Sequence, residues 1–209
     1  METENFKSKC STRTFIAKLE NPVDKSLSTD NLLDIFPTST KINFRNCVVI
    51  SINKIKCKIF TNLTIHVTGL ITIDTVLTVI NKLYSFKTSK HLLTKHNLNY
   101  EIYCAMNNCS INFQNKINLN DTMNNLNKNG YLSYFLRGIP LINKIQSRNE
   151  ITIYKISFQN EEFVIKDERI IQQEKTISLL MFKSGKCLIS GPSEKICINI
   201  LREISKYIK

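Results

Sequence analysis

Two stretches of the chain alternate hydrophobic and polar residues and break off at the same point. The first reads KCKIFTNLTIHVTG over 56–69, and the second reads ISLLMFKSGKCLISG over 177–191. In both, a Phe ends one alternating run, a turn follows, and a second run ends in Thr-Gly or Ser-Gly. A period of two is typical of a strand covered on one face, so each stretch predicts a β-hairpin. The distance from Phe60 to Gly69 equals that from Phe182 to Gly191, which indicates an internal repeat.

Hydrophobic residues at helical spacing follow each hairpin. They recur every three or four positions, which predicts one amphipathic helix behind each hairpin. Many residues of the first helix are β-branched, so packing on the sheet must stabilise it. The apolar positions are Ile73, Val76, Leu77, Ile80, Leu83 and Tyr84 in the first helix, and Ile196, Cys197, Ile200, Leu201, Ile204 and Ile208 in the second.

Shorter patterns precede each hairpin. In both halves they predict a strand, then a short helix, then further β structure before the hairpin begins. The predicted segments are a strand over 14–19, a helix over 28–36 capped by Ser28 or Thr29 and a β-rich region over 42–52 in the first half, and a strand over 100–113 and a helix over 118–130 in the second.

The two halves define the predicted organisation of an α+β protein. Residues 131–173 contain more β-like segments than the first half has room for, so we expect an insertion there. The predicted parts are an N-terminal tail over 1–12, a first repeat over 13–86, a basic linker over 87–99, and a second repeat over 100–209 with the insertion around 131–173.

Alternation also separates a covered face of the predicted sheet from an open one. The apolar positions of each hairpin should lie beneath the following helix, which leaves the other face open. Exposed Leu and Phe side chains on such a face imply a partner. The alternative is that the Phe residues are ordinary core residues and that the lysines line a solvated strand. The open-face set is Lys54, Lys56, Lys58, Phe60, Thr64, His66 and Thr68 in the first hairpin, and Ser178, Leu180, Phe182, Leu188 and Ser190 in the second.

The charge balance indicates what kind of partner to expect. The 209 residues carry a formal net charge of +12 at pH 7. Such an excess favours a polyanion, with nucleic acid first and an anionic membrane surface second. The alternative is a lysine-rich solvated surface, since the abundance of Asn, Ile and Lys is also what an A-T-rich coding sequence produces.

Cysteine and histidine patterns argue against a metal or a disulfide framework. Seven cysteines occur without any C-x-x-C spacing, and the three histidines form no ligand cluster with them. Neither a catalytic triad, nor paired carboxylates, nor a phosphate loop is present, so we expect no enzyme and no cofactor. The first residues lack an apolar leader and no apolar stretch is long enough to span a bilayer, so we expect an intracellular protein without a membrane partner.

The repeated hairpin resembles the TATA-box-binding protein family. That family combines a Phe, a Ser-Gly-Lys turn and a strand ending in Thr-Gly before a long helix; here the second copy reads FKSGKCLISG and the first reads FTNLTIHVTG. The resemblance implies a two-repeat saddle, a curved antiparallel sheet with helices on its convex side. The divergence of the motifs resembles the TATA-binding-protein-like proteins of large DNA viruses.

The family resemblance implies binding in the minor groove of A-T-rich DNA. Phenylalanines of the family wedge between base steps and bend the duplex. Phe60 and Phe182 match one wedge of each repeat, and Phe44 and Phe163 are candidates for the partner wedges. An Asn at the centre of each first strand is replaced here by Thr14 and Cys104, which are 90 residues apart, so the preferred DNA sequence stays open. The predicted DNA-binding residues are Phe60, Phe182, Thr68, Ser190, Lys54, Lys56, Lys58, Lys186, Phe44, Thr14, Leu180 and Leu188.

Two functions are compatible with these features. The first is a transcription initiation factor that binds promoter DNA as a monomer, bends it, and recruits other initiation factors or RNA polymerase, in the host nucleus or a cytoplasmic viral factory. The second is a protein scaffold of the same fold in a transcription complex that has lost DNA binding. Binding to A-T-rich duplex separates the two.

Overall fold

One order of elements, a strand, a helix, four strands and a helix, occurs twice along the chain. A computed structural model describes residues 6–21, 28–37, 40–41, 46–52, 54–87, 99–136, 139–159 and 162–208. The first set is β1 Phe6–Leu19, α1 Thr29–Ile35, β2 Thr40–Lys41, β3 Cys47–Ile52, β4 Ile55–Phe60, β5 Ile65–Gly69 and α2 Ile73–Lys87. The second set is β6 Tyr100–Phe113, α3 Leu119–Lys128, β7 Leu132–Leu136, β8 Ile139–Gln159, β9 Glu162–Met181, β10 Lys186–Gly191 and α4 Glu194–Ser205.

The described residues fall into two compact units. The N unit comprises those of Thr14–Ala105 and Thr152–Ile170, and the C unit comprises those of Met1–Arg13, Met106–Ile151 and Ile171–Lys209. Within the N unit the strands run β2-β3-β4-β5-β1, and within the C unit they run β6-β10-β9-β8-β7. Read in the opposite direction, the second order is β7-β8-β9-β10-β6. It is the same as the first, because β6 is the counterpart of β1 and β10 is the counterpart of β5.

The core of the N unit lies where the sequence predicts the covered face. Cys57 and Ile59 of β4 and Ile65 and Val67 of β5 are buried, whereas the residues that alternate with them within each strand are not. The same core includes Val76, Val79 and Ile80 of α2. The predicted helix over 73–86 is thereby confirmed, and burial of its apolar side chains compensates for its weak intrinsic propensity.

The C unit has a core of the same design. The inward residues of β9 and β10 share it with four buried residues of α4, namely Cys197, Ile200, Leu201 and Ile204. The side chain of Ser193 caps α4 by accepting from the Ile196 N–H. The predicted helix over 118–130 is α3, which ends at Lys128 and is followed two residues later by Gly130 in the left-handed conformation at φ +81. There the Gly130 N–H donates to Asn127 and the Tyr131 N–H to Leu126, a Schellman motif.

The turns of the β4–β5 and β9–β10 hairpins have the same hydrogen bonds. The Phe60 N–H donates to the Thr64 carbonyl and the Leu63 N–H donates to the Phe60 carbonyl. In the second turn, Phe182, Lys186 and Gly185 repeat both bonds. The third turn residue is left-handed in both, at φ +61 for Leu63 and φ +86 for Gly185. The equal spacing in the sequence therefore reflects one backbone turn used twice.

The insertion differs from the sequence-based expectation. Among the described residues of 131–173 it adds no strand; instead β8 and β9 are 21 and 20 residues long, against six for each of β3 and β4. The part of this long hairpin where β8 ends and β9 begins belongs to the N unit, which includes the described residues of 152–170. There Ile156 and Phe163 enter the core. Periodicity predicts strands but not the sheet they join, so the sequence could not show this.

Strand pairing and ion pairs hold the long hairpin in the N unit. Tyr100–Tyr103 of β6 pairs with Ile153–Ile156 of β8. Lys155 forms an ion pair with Glu20 at 2.5 Å, and Arg169 forms one with Glu101 at 3.0 Å. The hydrogen bond from Lys155 lowers the pKa of the Glu20 carboxyl.

Other boundaries agree closely with the sequence, and two features lie outside the described residues. Ser28 caps α1 as predicted, with its side chain accepting from the Asn31 N–H. β1 begins at Phe6, earlier than the strand predicted over 14–19. Phe44 and nearly all of the predicted linker over 87–99 lie outside the described residues. No helix in the described parts of the chain is long and apolar enough to cross a membrane.

Candidate functional site

The open face of the N unit carries cationic and polar side chains. The strand register pairs Lys56 with Thr68 and Lys58 with His66, and all four lie on the face opposite the core. Phe60, at the end of β4, is half-buried, and its ring centroid lies 4.7 Å from that of His66. β4 and β5 therefore present a row of hydrogen-bonding groups that ends in an aromatic pair.

Two predicted site residues from different strands meet on this face. The hydroxyl oxygens of Thr14 in β1 and Thr68 in β5 are 3.3 Å apart. Phe15, the next residue of β1, points into the core. Thr14 is thus fixed beside Thr68 by alternation along β1.

The open face of the C unit is apolar where that of the N unit is charged. Leu180 pairs with Leu188, at the positions that Lys58 and His66 occupy in the other hairpin. Leu188 is 38% exposed, and it follows Lys186, which is exposed beside the turn. Both hairpins therefore have the same register and opposite surface chemistry.

Asn108 is a candidate site residue that the sequence analysis missed. It lies directly opposite Ser190 on β6, and the Ser190 hydroxyl donates to its side-chain oxygen at 2.6 Å. The Asn108 amide nitrogen donates to the Thr12 hydroxyl at 2.9 Å. Asn108 thus belongs to a chain of three polar side chains on this face.

The position of Asn108 corrects the predicted register between the first strands. Ser190 and Thr68 occupy equivalent places in equivalent hairpins, so the residues beside them, Asn108 and Thr14, are equivalent too. Their separation is 94 residues (108 minus 14), not the 90 that aligned Thr14 with Cys104. Cys104 is half-buried and packs against the N-unit core instead. The hydrogen bond between Ser190 and Asn108 is needed to find this register, because a shift of four residues leaves the alternation along the strand unchanged.

Three further predicted residues take separate places. Lys54 is exposed but lies in the turn between β3 and β4 at φ +67, so it does not share the strand phase of Lys56. Phe163 is wrong as a wedge candidate, because it is 7% exposed and packs on Tyr100 in the N-unit core. Phe182 ends β9 as Phe60 ends β4, and it is half-buried.

The electrostatics of the N-unit face favour neutral His66. Partial burial lowers the pKa of His66, and the charges of Lys58 and Lys18 lower it further. The ring is therefore a neutral hydrogen-bonding group near pH 7, and the positive charge of this face resides on its lysines. Among the described residues, no group of three or more His, Cys, Asp or Glu side chains is arranged to hold a metal ion.

These features define the class of fold. An antiparallel sheet with few helices, in which one strand order occurs twice and each hairpin precedes a helix, is a TATA-box-binding-protein-like fold. Among solved structures the chain is similar to Methanococcus jannaschii TBP, with a TM-score of 0.54 and 14% sequence identity over 97% of each chain. At this identity the similarity shows the fold alone. No protein-family model and no curated protein matches the chain.

Proposed function

We propose that the protein is a non-enzymatic transcription initiation factor that binds A-T-rich duplex DNA in the minor groove and bends it. The observation that carries the proposal is the recurrence of Phe60 and Phe182 at identical turns, in a fold shared with a TATA-box-binding protein. Neither ring belongs to the set of side chains packed on the two cores, so the fold does not explain why Phe stands at both places. We infer that the two repeats form the saddle that is typical of the family. Insertion of each Phe ring between two base pairs would then explain why a Phe stands at both turns.

The two open faces divide the remaining contacts. In the proposal, Lys56 and Lys58 neutralise phosphates, and Leu180 and Leu188 lie against the sugar edges of the groove. Asn108 and Ser190 offer hydrogen bonds to the base acceptors that A-T pairs present there. Other initiation factors or RNA polymerase would dock on the rest of the protein, which would bind DNA as a monomer inside the cell, in a nucleus or a viral factory.

The second candidate is a scaffold of the same fold that no longer binds DNA. Thr14 stands where the family has an Asn, and the Lys58–His66 pair of the first hairpin stands where the second hairpin has the apolar pair Leu180–Leu188. Those two departures weaken complementarity to a groove floor, and they are the observations that favour the scaffold.

Salt dependence of binding separates the candidates. Affinity for an end-labelled A-T-rich duplex should fall steeply with salt, with log K changing by about 0.9 per phosphate contact per decade. Serine at both Lys56 and Lys58 should reduce that slope by roughly two. The matched control replaces Lys128 and Lys195, exposed residues of α3 and α4, and should leave the slope unchanged. Absence of binding at low salt would favour the scaffold.

Bending isolates the role of the phenylalanines. Energy transfer between dyes on the duplex ends should drop in Phe60→Ala or Phe182→Ala and nearly vanish in the double variant. Phe135→Ala is the control, because Phe135 is 48% exposed on β7, outside the proposed interface. Each site variant should lose well under the roughly 3–5 kcal/mol that a buried Phe→Ala change costs. Unfolding of the variants would mean that the rings are packing residues.

A further inference from the structure

A polar ring stands on the open face of the N unit where the C unit has a leucine. Lys58 and His66 are paired across β4 and β5, and the same positions of the other hairpin hold the pair Leu180 and Leu188. His66 is half-buried, and it does not belong to the core of its unit. Because the two hairpins have the same register and the same turn, the backbone does not explain this difference in side chains.

The imidazole of His66 can both donate and accept a hydrogen bond. The groups that face it are Lys58 of β4 and Lys18 of β1, and their charges add to partial burial in lowering the pKa of the ring. A neutral imidazole has one N–H, which donates, and one unprotonated nitrogen, which accepts. The ammonium groups of the two lysines can only donate. His66 therefore brings a hydrogen-bond acceptor to a face whose charged groups are donors.

The minor groove of DNA presents one donor that depends on the base pair. Every base pair has acceptors there, and only a G-C pair adds a donor, the 2-amino group of guanine. Leu180 and Leu188 cannot accept from that group, and covering a donor with apolar side chains leaves it unsatisfied at a cost in affinity. The unprotonated nitrogen of His66 can accept from it. The two hairpins therefore differ in whether they can accommodate a G-C pair.

The contact with Phe60 determines where on the DNA His66 would act. The ring centroids of Phe60 and His66 are 4.7 Å apart, and the two planes are tilted by 57°. That separation is little more than one base-pair step of about 3.4 Å. If the Phe60 ring inserts between two base pairs, as in the proposed function, the imidazole lies beside one of those two pairs.

We propose that His66 is a specificity-determining residue, which selects a G-C pair beside the step at which Phe60 inserts by accepting a hydrogen bond from the guanine 2-amino group. This inference rests on the proposed minor-groove function. Thr14 and Thr68, whose hydroxyl oxygens are 3.3 Å apart on the same face, can each donate or accept and so select no particular pair. The preferred site is then A-T-rich with a G-C pair at the position of His66, and not A-T throughout.

Base analogues test the proposal on the full chain. Competition binding is measured for A-T-rich duplexes in which a single G-C pair is moved along the site. At the position of His66 the G-C pair should bind about fivefold more tightly than A-T, and elsewhere in the site about tenfold more weakly. Inosine–cytosine, which lacks the 2-amino group, should bind there like A-T, and 2,6-diaminopurine–thymine, which has it, like G-C.

The outcomes distinguish this proposal from the function on which it rests. Weaker binding of G-C at every position, or equal binding of G-C and inosine–cytosine at the favoured one, would overturn the role of His66 while minor-groove binding stands. Absence of binding to every duplex would overturn both.

Two variants and the pH identify the residue, with the ratio of G-C to A-T affinity at the favoured position as the readout. His66→Leu removes the acceptor and should turn the preference for G-C into a penalty of about tenfold. His66→Gln is the matched control, because its amide oxygen still accepts, and it should retain the preference. In the unaltered protein the preference should fall between about pH 8 and pH 5, since a protonated imidazole has two donors and no acceptor. In His66→Gln the ratio should not change with pH, and an unchanged ratio in His66→Leu would refute the assignment.

Discussion

The turn at Gly185 should be intolerant of any side chain, even a methyl group. Gly185 is left-handed at φ +86, where an L-residue is disfavoured by about 1–2 kcal/mol. A Cβ there would also lie 2.6 Å from the Asn115 carbonyl oxygen and 2.7 Å from that of Phe113. The Gly185 carbonyl accepts from the Phe113 N–H at 2.9 Å, so the turn cannot move away without losing that bond.

These two effects set the expected loss for Gly185→Ala. Inserting a carbon into a close-packed site costs about 1–3 kcal/mol when the neighbours must shift, and here the neighbours are backbone. Together with the conformational cost, the free energy of unfolding should fall by about 2–5 kcal/mol. The measurement is urea denaturation followed by circular dichroism, in which the midpoint should drop while the slope with denaturant stays the same.

Gly130→Ala is the matched control for this prediction. Gly130 has nearly the same backbone angle, φ +81, but a Cβ there would have nothing within 4 Å. Its substitution should carry only the conformational cost of about 1–2 kcal/mol. The difference between the variants measures the steric contribution at the turn. Equal losses in both would refute the close approach of Gly185 to the end of β6.

Two further predictions concern polar groups. Ser157 is 4% exposed and its hydroxyl has no hydrogen-bond partner in the described part of the chain, so Ser157→Ala should raise the free energy of unfolding, measured with urea, by up to about 1 kcal/mol. Ser133→Ala, equally buried but bonded to Asn127 at 2.7 Å, should instead lower it by about 1–2 kcal/mol. His66 has a lowered pKa, so its contribution to stability is present above about pH 6.5 and is lost as the pH falls through the folded-state value. The acid-side loss of stability should therefore be smaller in His66→Gln, and an unchanged pH profile would contradict this.

The alternation of the hairpins was sufficient to predict which side chains are buried. Cys57 and Ile59 point inward and Lys56 and Lys58 outward, because a strand covered on one face must alternate. The turn could be placed as well, since the two Phe-to-Gly spacings agree. Local patterns were therefore enough for the hairpins and for the helices that follow them.

Pairing between distant strands could not be predicted in the same way. Shifting β6 by two or four residues against its neighbour leaves every side chain on the same face, so the pattern cannot distinguish Cys104 from Asn108 as the counterpart of Thr14. Only the cross-strand contact of Asn108 with Ser190 decides the register. The position of residues 152–170 depends likewise on long-range pairing, here with β6.

The left-handed residue of the first turn has a consequence for folding. Leu63 at φ +61 is disfavoured by about 1–2 kcal/mol as an isolated turn, and burial of its side chain in the N-unit core offsets this by about 1.5–3 kcal/mol. The β4–β5 hairpin is thus locally frustrated until its core assembles, whereas Gly185 allows the β9–β10 turn to form unaided. The two hairpins should therefore form at different stages of folding. The β9–β10 hairpin can act as an early nucleus, whereas the β4–β5 hairpin forms at or after the transition state.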